Sequence, residues 1–475
     1  MKRVSAVNAL AAVICIFFAG CSVIRPPSDL GGLYNRAASM GDLDRNPIIL
    51  IPGVIGSRLV DGESGTIVWG AFSGNFADPD SDKGFRLIAH PVGQGLELAE
   101  LQDSVYASGV LDRLQIVFIG LPVELSAYVQ ILRTLGVGGY RDQELGESGS
   151  IDYGDDHFTC FQFPYDWRRD ISENAEALHS FIEDKKRYVQ AEIKERYGIE
   201  KPDIKFDIVA HSMGGLLTRY YLRYGGRRLP EDGSIPPIDW SGAKNVERAV
   251  LIGTPSAGSI EGLASLVEGI SFSVFLPSYS AALVGTMPGL YQLLPRPRHA
   301  AVVDIDNPDT ALNIYDPALW QQLGWGLASP DNAEDLERLF PEIDDPEKRQ
   351  QAAFDHQRKL LLRAQQFTAS LDVPVKRPEG LDIFLFAGDA VDTDKKIGVD
   401  MESGRIRRIA HGPGDGSVLR TSALMDERVG SEWSLGLITP VDWTNVTFLL
   451  EDHLGMTREP VFVDNVLYLL LEDPR

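Results

Sequence analysis

Near the middle of this chain, a buried strand leads into a helix almost without a loop. Five of the seven residues at 204–210 are apolar, which indicates a strand covered on both faces, and a helical pattern runs from Gly214 to Tyr224. A strand that is covered on both faces and enters a helix directly is typical of α/β folds. The arrangement predicts a mainly parallel central sheet with helices on both of its faces.

The rest of the chain repeats this alternation of apolar runs and helical patterns. The helix predicted at 174–197 has clear end signals. Asp170 and Glu173 have the spacing of a capping box at its start, and Gly198 is a stop signal at its end. The predicted strands are 48–51, 158–163, 246–252, 381–386 and 446–450, and the predicted helices include 128–135 and 174–197. Strands alternating with helices along the chain favour the same α/β fold class.

Two long intervals interrupt this alternation. Residues 256–295 contain only Glu261 and Glu268 as charged residues, and a structureless loop of such length is improbable. We therefore predict a helical cap or lid insertion over residues 256–380, closed by a helix at 351–371. The core would then comprise residues 46–255 and 381–475, with a second insertion at 61–127.

The amino terminus has the pattern of a secretory signal. Lys2 and Arg3 precede an apolar run, which ends in Phe18-Ala19-Gly20-Cys21. Small residues before a cysteine resemble the lipobox of bacterial lipoproteins, in which that cysteine receives a diacylglycerol. This resemblance predicts removal of residues 1–20, a lipid anchor on Cys21 in a bacterial cell envelope, and a flexible tether over residues 21–45. A plain cleaved signal and an uncleaved anchor helix are the alternatives.

Charge and cysteine usage exclude several kinds of partner. The chain has 45 Lys and Arg against 68 Asp and Glu, a net charge of −23, so nucleic acid is not a predicted partner. Electrostatic attachment to an anionic membrane is disfavoured too, and a lipid anchor would have to replace it. With Cys15 in the signal and Cys21 lipidated, Cys160 alone is left, so no internal disulfide can form. Cys160 lies in an apolar stretch and is interpreted as a buried, inert thiol.

The segment Ala210-His211-Ser212-Met213-Gly214 has the setting of a nucleophile elbow. A sharp turn between strand and helix exposes the serine hydroxyl, and bulky residues two positions away on either side would clash there. The helix that starts behind Ser212 also offers unpaired backbone N–H groups. We interpret Ser212 as a nucleophile and His211 as a packing residue.

A serine nucleophile needs a histidine base and a carboxylate that orients the histidine. Asp415 lies in a tight turn, and His453 follows the strand at 446–450, so the two occur in the chain order Ser, acid, His. An ordinary turn aspartate is the alternative reading of Asp415. Asp389 is the rival acid and His411 the reserve histidine.

Backbone amides are the predicted stabilisers of the oxyanion. The loop at residues 51–57 follows the first strand and is rich in glycine, which lets the backbone approach a substrate. We predict the N–H groups of Val54 and Met213 as the pair of donors. For Val54, a plain strand-to-helix turn is the alternative. No metal ion and no organic cofactor is predicted.

Several separated motifs, in this order, resemble the lecithin:cholesterol acyltransferase-like family of α/β-hydrolases, which includes phospholipases A and phospholipid:diacylglycerol acyltransferases. They are residues 47–56, Phe163-Pro164-Tyr165-Asp166-Trp167-Arg168, the Ser212 elbow, 252–259, 287–295, 414–418 and His453-Leu454-Gly455-Met456. The resemblance implies an α/β-hydrolase fold with Ser212, Asp415 and His453 as the triad. It also implies a cap over an acyl pocket. Tyr165, Asp166, Trp167 and Arg168 are interpreted as supporting residues, which brace the end of the sheet with buried ion pairs.

The expected function is cleavage or transfer of a fatty acyl group from a glycerolipid or phospholipid through an acyl-Ser212 intermediate. The apolar stretch at 256–295 motivates the lipid substrate, because a long acyl chain needs a dry groove. Ordinary core packing of that stretch would favour an esterase or thioesterase acting on a soluble ester. A surface-anchored binding protein with an idle triad is the third alternative. Trp69 is interpreted either as a lipid-contacting loop residue or as a core residue.

Overall fold

The structure is a computed structural model that describes residues 29–40, 43, 45–71, 74–111, 114–118, 121–125, 128–146, 157–271 and 277–474. The predicted signal at 1–20 and the predicted lipidation site Cys21 lie outside these residues. Within them, no helix combines the length and the apolar character that crossing a membrane requires.

The strands and helices are numbered in chain order. The strands are β1 Ile48–Ile51, β2 Ser57–Asp61, β3 Ile67–Trp69, β4 Val105–Val110, β5 Leu114–Phe118, β6 Leu121–Leu125, β7 Cys160–Gln162, β8 Phe206–His211, β9 Val246–Ile252, β10 Ile270–Ser271, β11 Ser278–Tyr279, β12 Val302–Asp304, β13 Asp382–Gly388, β14 Val391–Val399, β15 Ile406–Gly414 and β16 Asn445–Leu449. The helices are α1 Leu30–Ala38, α2 Asp82–Ile88, α3 Val129–Val137, α4 Ile171–Tyr197, α5 Met213–Tyr224, α6 Ile260–Glu268, α7 Ala281–Val284, α8 Pro288–Tyr291, α9 Pro317–Leu323, α10 Ala333–Leu339, α11 Pro346–Asp372, α12 Arg420–Leu424 and α13 Pro460–Leu471.

The central sheet is parallel throughout, as the alternation of strands and helices predicts. Its six strands lie in the order β16-β13-β9-β8-β1-β7, and each neighbouring pair is parallel. The carboxyl ends of these strands therefore meet at one edge of the sheet. In open sheets of this kind, ligands bind outside that edge. The fold thus places the residues that follow β1, β8, β9, β13 and β16 next to one another.

The side chains of the buried strands alternate between two hydrophobic clusters, one on each face of the sheet. In β1, Ile48 and Leu50 join the cluster that contains α3 and α13, while Ile49 and Ile51 join the larger cluster that contains α4 and α5. All four side chains are fully buried. A strand covered on both faces is apolar along its whole length. This is why such strands can be predicted from continuous apolar runs in the sequence.

The tether predicted for residues 21–45 is wrong from Leu30 onward. Asp29 caps α1 by accepting a hydrogen bond from the Gly32 N–H. One turn apart on α1, Tyr34 and Ala38 are buried, and the Tyr34 hydroxyl donates to Asp464 on α13. Two buried side chains at i and i+4 on a nine-residue helix give too weak a periodic signal to stand out beside prolines and glycines.

The segment predicted as a helical insertion contains α6 to α11, but it is not wholly helical. The hairpin of β10 and β11 and the short strand β12 also lie in it. β12 pairs in parallel with β14, which pairs in turn with β15 in a second sheet of three strands. Val302 and Val303 are buried in this pairing. A three-residue strand is fixed by a partner almost a hundred residues away, and no local pattern reveals it. The helix predicted at 351–371 is α11.

Buried neutral histidines make the fold sensitive to acid. Burial lowers the pKa of His356, on α11, to about 4 from the 6.5 of an exposed histidine. As pH falls from 6.5 towards 4, the unfolded chain binds a proton that the folded chain refuses, so the free energy of unfolding falls. Between pH 7 and pH 4, the free energy of unfolding should fall in both proteins. We expect the fall to be smaller by about 2–3 kcal/mol in His356→Gln than in wild type. Urea unfolding at several pH values measures this; parallel curves for the two proteins would contradict it.

Candidate active site

The link between β8 and α5 is a strained, sharp turn. Ser212 has φ 53° and ψ −124°, a conformation that non-glycine residues rarely adopt. Its N–H donates to the Ile252 carbonyl at the end of β9, over 2.8 Å. A Cβ atom on Gly214 would lie 2.4 Å from the Pro52 carbonyl oxygen. The sequence-based argument that a small residue is needed at position 214 is therefore confirmed.

The loop after β1 approaches the elbow closely. A Cβ atom on Gly53 would lie 2.8 Å from the Ser212 Cβ, so only glycine allows this approach. The next N–H group belongs to Val54, and the first N–H of α5 belongs to Met213. Within the described residues, neither amide donates a hydrogen bond to a protein acceptor. Two such unpaired amides beside a serine are free to donate to an anionic oxygen.

Trp69 stabilises the same loop through a hydrogen bond. The Trp69 indole N–H donates to the Ile55 carbonyl over 2.8 Å, and Ile55 has a positive φ of 56°. The ring is buried and contacts Trp167 and Tyr279, with ring centroids 5.5 and 5.6 Å away. Of the two interpretations of Trp69, the core residue is therefore the correct one.

Asp415 and His453 form a hydrogen-bonded pair at the carboxyl edge of the sheet. His453 Nδ1 lies 2.8 Å from Asp415 Oδ2, and the His453 N–H donates to the Asp415 carbonyl over 2.9 Å. The carboxylate also accepts from the amides of Ser417 and Val418. Burial alone would raise the pKa of Asp415, but His453 and these amides outweigh burial, and the pKa lies below its ordinary value. The carboxylate stays charged and fixes the proton of His453 on Nδ1.

The rival acid and the reserve histidine lie elsewhere. Asp389 follows β13, and its N–H donates to the Leu449 carbonyl over 3.3 Å. His411 lies on β15 with nearly half of its side chain exposed, and its Nδ1 contacts Asp394 at 3.1 Å. In the described part of the chain, neither residue contacts Ser212 or His453. Asp415 is the acid that pairs with His453.

His453 lies beside the elbow. A Cβ atom on Gly253, the residue after β9, would lie 3.1 Å from His453 Nδ1 and Cε1, and the rings of His453 and His211 are 4.6 Å apart. The Ser212 hydroxyl itself makes no hydrogen bond within the described residues. Without substrate, the hydrogen bond between a catalytic serine and its histidine base is often long, and it shortens when substrate binds.

Sequence reasoning missed Tyr128 and gave His211 only a packing role. The Tyr128 hydroxyl accepts a hydrogen bond from the Gly53 N–H over 2.7 Å and lies 3.3 Å from His211 Nδ1. Both side chains are buried. The contacts span 75 and 83 residues of sequence, so no local motif could indicate them.

The motif at residues 165–168 braces the site, as interpreted from the sequence. Arg168 is fully buried and binds the Asp166 carboxylate with two nitrogens, at 3.0 and 2.8 Å. Its remaining nitrogen, Nη1, donates to the carbonyls of Leu87, Ile88 and Ala89, at the end of α2. Asp103 accepts from Nη2 over 2.8 Å. Cationic donors at a helix carboxyl terminus also complement its dipole. Arg168 thus ties α2 to the loop that follows β7.

Removing this buried charge is expected to cost much stability. In Arg168→Met, the Asp166 carboxylate keeps the backbone N–H of residue 168 and the Arg169 side chain but loses its buried guanidinium, and three carbonyls lose their donor. We expect the free energy of unfolding to fall by about 3–5 kcal/mol. Arg187→Met is the control, because Arg187 forms an exposed ion pair with Asp184 and should change stability by less than about 1 kcal/mol. Equal urea midpoints for the two variants would refute the structural role of Arg168.

One helix of the predicted cap, α8, contacts the first residue of α5. A Cβ atom on Gly289, in α8, would lie 2.9 Å from the Met213 Cε, and the Gly289 N–H donates to the Arg168 carbonyl. The apolar residues of 256–295 that the structure describes are mostly buried in the core. A cavity of about 550 Å³ is lined by polar residues such as Glu231 and Arg358 and does not include Ser212. These observations support core packing as one role of the apolar stretch.

No metal site occurs in the described part of the chain, where no three His, Cys, Asp or Glu side chains form a ligand group. Cys160 is buried, and burial raises the pKa of its thiol, so it stays protonated.

A parallel sheet with helices on both faces, a strained serine between strand and helix, and an Asp–His pair at the same edge define an α/β-hydrolase. A family model described as lecithin:cholesterol acyltransferase matches residues 147–324. This match over part of the chain supports a lecithin:cholesterol acyltransferase-like α/β-hydrolase. The resemblance drawn from its motifs is confirmed.

Several solved structures are similar to this chain, and one of them, at a TM-score of 0.50, agrees with this fold. The crystal structure of a Tle4–Tli4 complex superposes with a TM-score of 0.50 at 15% identity, covering 90% of this chain and 98% of that chain. The lipase BlEst2 of Bacillus licheniformis in its mature form gives 0.30 at 11%, with 91% and 94% covered. Lipase 1 from Pelosinus fermentans gives 0.32 at 12%, with 91% and 100% covered. Comparison with curated protein sequences gives no match.

Proposed function

We propose that this protein is a serine-dependent lipid acyl hydrolase or O-acyltransferase that acts on glycerolipid or phospholipid esters. The observation that carries the proposal is the convergence, at one sheet edge, of the strained Ser212, the Asp415–His453 pair and two unpaired amides. This set supplies the nucleophile, the base and the oxyanion donors of acyl transfer. The lipid substrate is supported by the family match at residues 147–324.

The proposed reaction proceeds through an acyl-enzyme. Ser212 Oγ attacks the ester carbonyl carbon while its proton passes to His453 Nε2, and the N–H groups of Val54 and Met213 bind the oxyanion. The bond from carbonyl carbon to alcohol oxygen then breaks, and the leaving alcohol takes the proton from His453. In the second step, water or another alcohol gives a proton to His453 and attacks the acyl carbon. Ser212 leaves and recovers its proton.

The substrate class is tested by comparing two kinds of ester. We expect the purified protein to release fatty acid from dispersed phospholipid with a kcat/KM at least about tenfold above that for a short, water-soluble ester. Product analysis of one defined phospholipid, with and without an added alcohol acceptor, separates hydrolysis from transfer. Preference for the soluble ester would favour an esterase or thioesterase. A wild-type protein inert towards both would favour an anchored binding protein.

We also propose that Cys21 carries the lipid anchor and holds the enzyme in a bacterial cell envelope. The support is the segment Phe18-Ala19-Gly20-Cys21 after an apolar run. Radiolabelled palmitate should enter the full chain expressed in bacteria and should not enter Cys21→Ala. Equal labelling of the two chains would refute the anchor.

A further inference from the structure

Tyr128 lies beneath the loop that carries the proposed oxyanion donor. Its hydroxyl accepts a hydrogen bond from the Gly53 N–H over 2.7 Å. Cβ atoms on Gly53 and Gly56 would lie 3.3 and 2.7 Å from this hydroxyl, so the loop rests directly on it. Burial raises the pKa of the phenol, which therefore keeps its proton and can donate as well as accept. The backbone just before Val54 is thus fixed by one buried side chain.

His211 continues this contact towards the proposed base. Its Nδ1 lies 3.3 Å from the Tyr128 hydroxyl, and its Nε2 lies 2.9 Å from the carbonyl oxygen of His453. A carbonyl oxygen can only accept, so Nε2 carries the proton. Burial, and then the neighbouring His453, lower the pKa of His211 to about 3, so the ring is neutral and Nδ1 accepts from Tyr128.

The direction of each hydrogen bond in the row Gly53–Tyr128–His211–His453 is therefore fixed. The Gly53 N–H at one end can only donate, and the His453 carbonyl at the other end can only accept. Because the His453 N–H donates to Asp415, the backbone of His453 is held on both of its polar sides. The His453 N–H donates to the backbone carbonyl of Asp415, and the His453 carbonyl accepts from His211, the residue before the nucleophile.

We propose that Tyr128 and His211 are positioning residues. They hold the loop at residues 51–57, which carries the proposed oxyanion donor, and the segment after β16, which carries His453, at a fixed distance on either side of Ser212. This inference rests on the function proposed above. Neither residue needs to touch substrate. Their action is geometric, because a displacement of about 1 Å at a reacting group can lower a rate by about a hundredfold.

Variants of His211 test the proposal through the reactivity of Ser212. In His211→Phe the ring is kept and both hydrogen bonds are lost, whereas the side-chain amide of His211→Gln can still donate towards the His453 carbonyl. We expect His211→Phe to lower the rate constant of fluorophosphonate labelling and the kcat for an ester by about 10- to 100-fold, with KM within about twofold. His211→Gln should recover at least about half of that loss on a logarithmic scale.

Two further variants guard against a folding defect. Tyr128→Phe removes one hydroxyl with little change of shape and should lower kcat about tenfold with KM unchanged. His356→Gln alters a buried histidine on α11 that the proposal does not involve, and this variant should label at the wild-type rate. Wild-type labelling of His211→Phe, or equal losses in the Phe and Gln variants, would overturn the positioning role. A wild-type protein that is not labelled would overturn the proposed function, and this inference with it.

Discussion

Replacing Ser212 with alanine is expected to lower ester turnover by about 10⁴- to 10⁶-fold while leaving the fold intact. The hydroxyl makes no hydrogen bond within the described residues, so its removal leaves no buried partner unsatisfied. The strained turn persists because Gly214 is still wedged against Pro52. A stability close to that of wild type together with lost turnover would separate chemistry from folding.

The measurement is fluorophosphonate labelling followed by turnover of the preferred ester. Ser180→Ala is the matched control, because Ser180 lies exposed on α4 and its hydroxyl contacts only a backbone carbonyl of the same helix. We expect that control to be labelled and active like wild type. If Ser212→Ala were still labelled at the wild-type rate, another residue would be the nucleophile, and the proposed mechanism would fall.

Asp415→Asn is expected to lower kcat by about 10⁴-fold. The carboxylate accepts from His453 Nδ1 and from two amides. An asparagine amide can donate to Nδ1 instead, which would put the imidazole proton on Nε2, the atom that must receive the proton of Ser212. The variant keeps the shape of the side chain, so the loss would come from the wrong tautomer.

Asp389→Asn provides the internal comparison, since Asp389 is the rival acid predicted from the sequence and makes no hydrogen bond or ion pair with His453 within the described residues. We expect its kcat to stay within about twofold of wild type. Near-normal activity of Asp415→Asn combined with an inactive Asp389→Asn would reverse the assignment. Measuring kcat as a function of pH for both variants shows whether activity that is lost at neutral pH returns at another pH.

The sequence predicted the centre of this fold well, for a physical reason. Strands covered on both faces are apolar along their length, so the runs at 48–51 and 246–252 coincide with β1 and β9. The positions of Ser212 and His453 follow from the same fact. Ser212 comes directly after the buried strand β8, whereas His453 lies four residues after the half-buried edge strand β16. The parallel sheet brings the ends of these strands together.

Features that depend on distant contacts were not predictable in the same way. The helix α1 is stabilised by the contact of Tyr34 with Asp464, 430 residues away in sequence. β12 exists through its pairing with β14. Tyr128 joins the site only because the fold brings it beneath Gly53. In each case the local pattern is weak, and tertiary contacts decide the structure.

The docking of α1 has a consequence for the reach of the enzyme. If Cys21 is lipidated, Leu30, where α1 begins, is only the ninth residue after the anchored cysteine. Nine fully extended residues span at most about 30 Å, roughly the thickness of the hydrocarbon core of a bilayer. The body would then be confined to a thin layer above the membrane that holds it. An enzyme anchored so closely would meet lipids of the leaflet that carries its anchor at high local concentration.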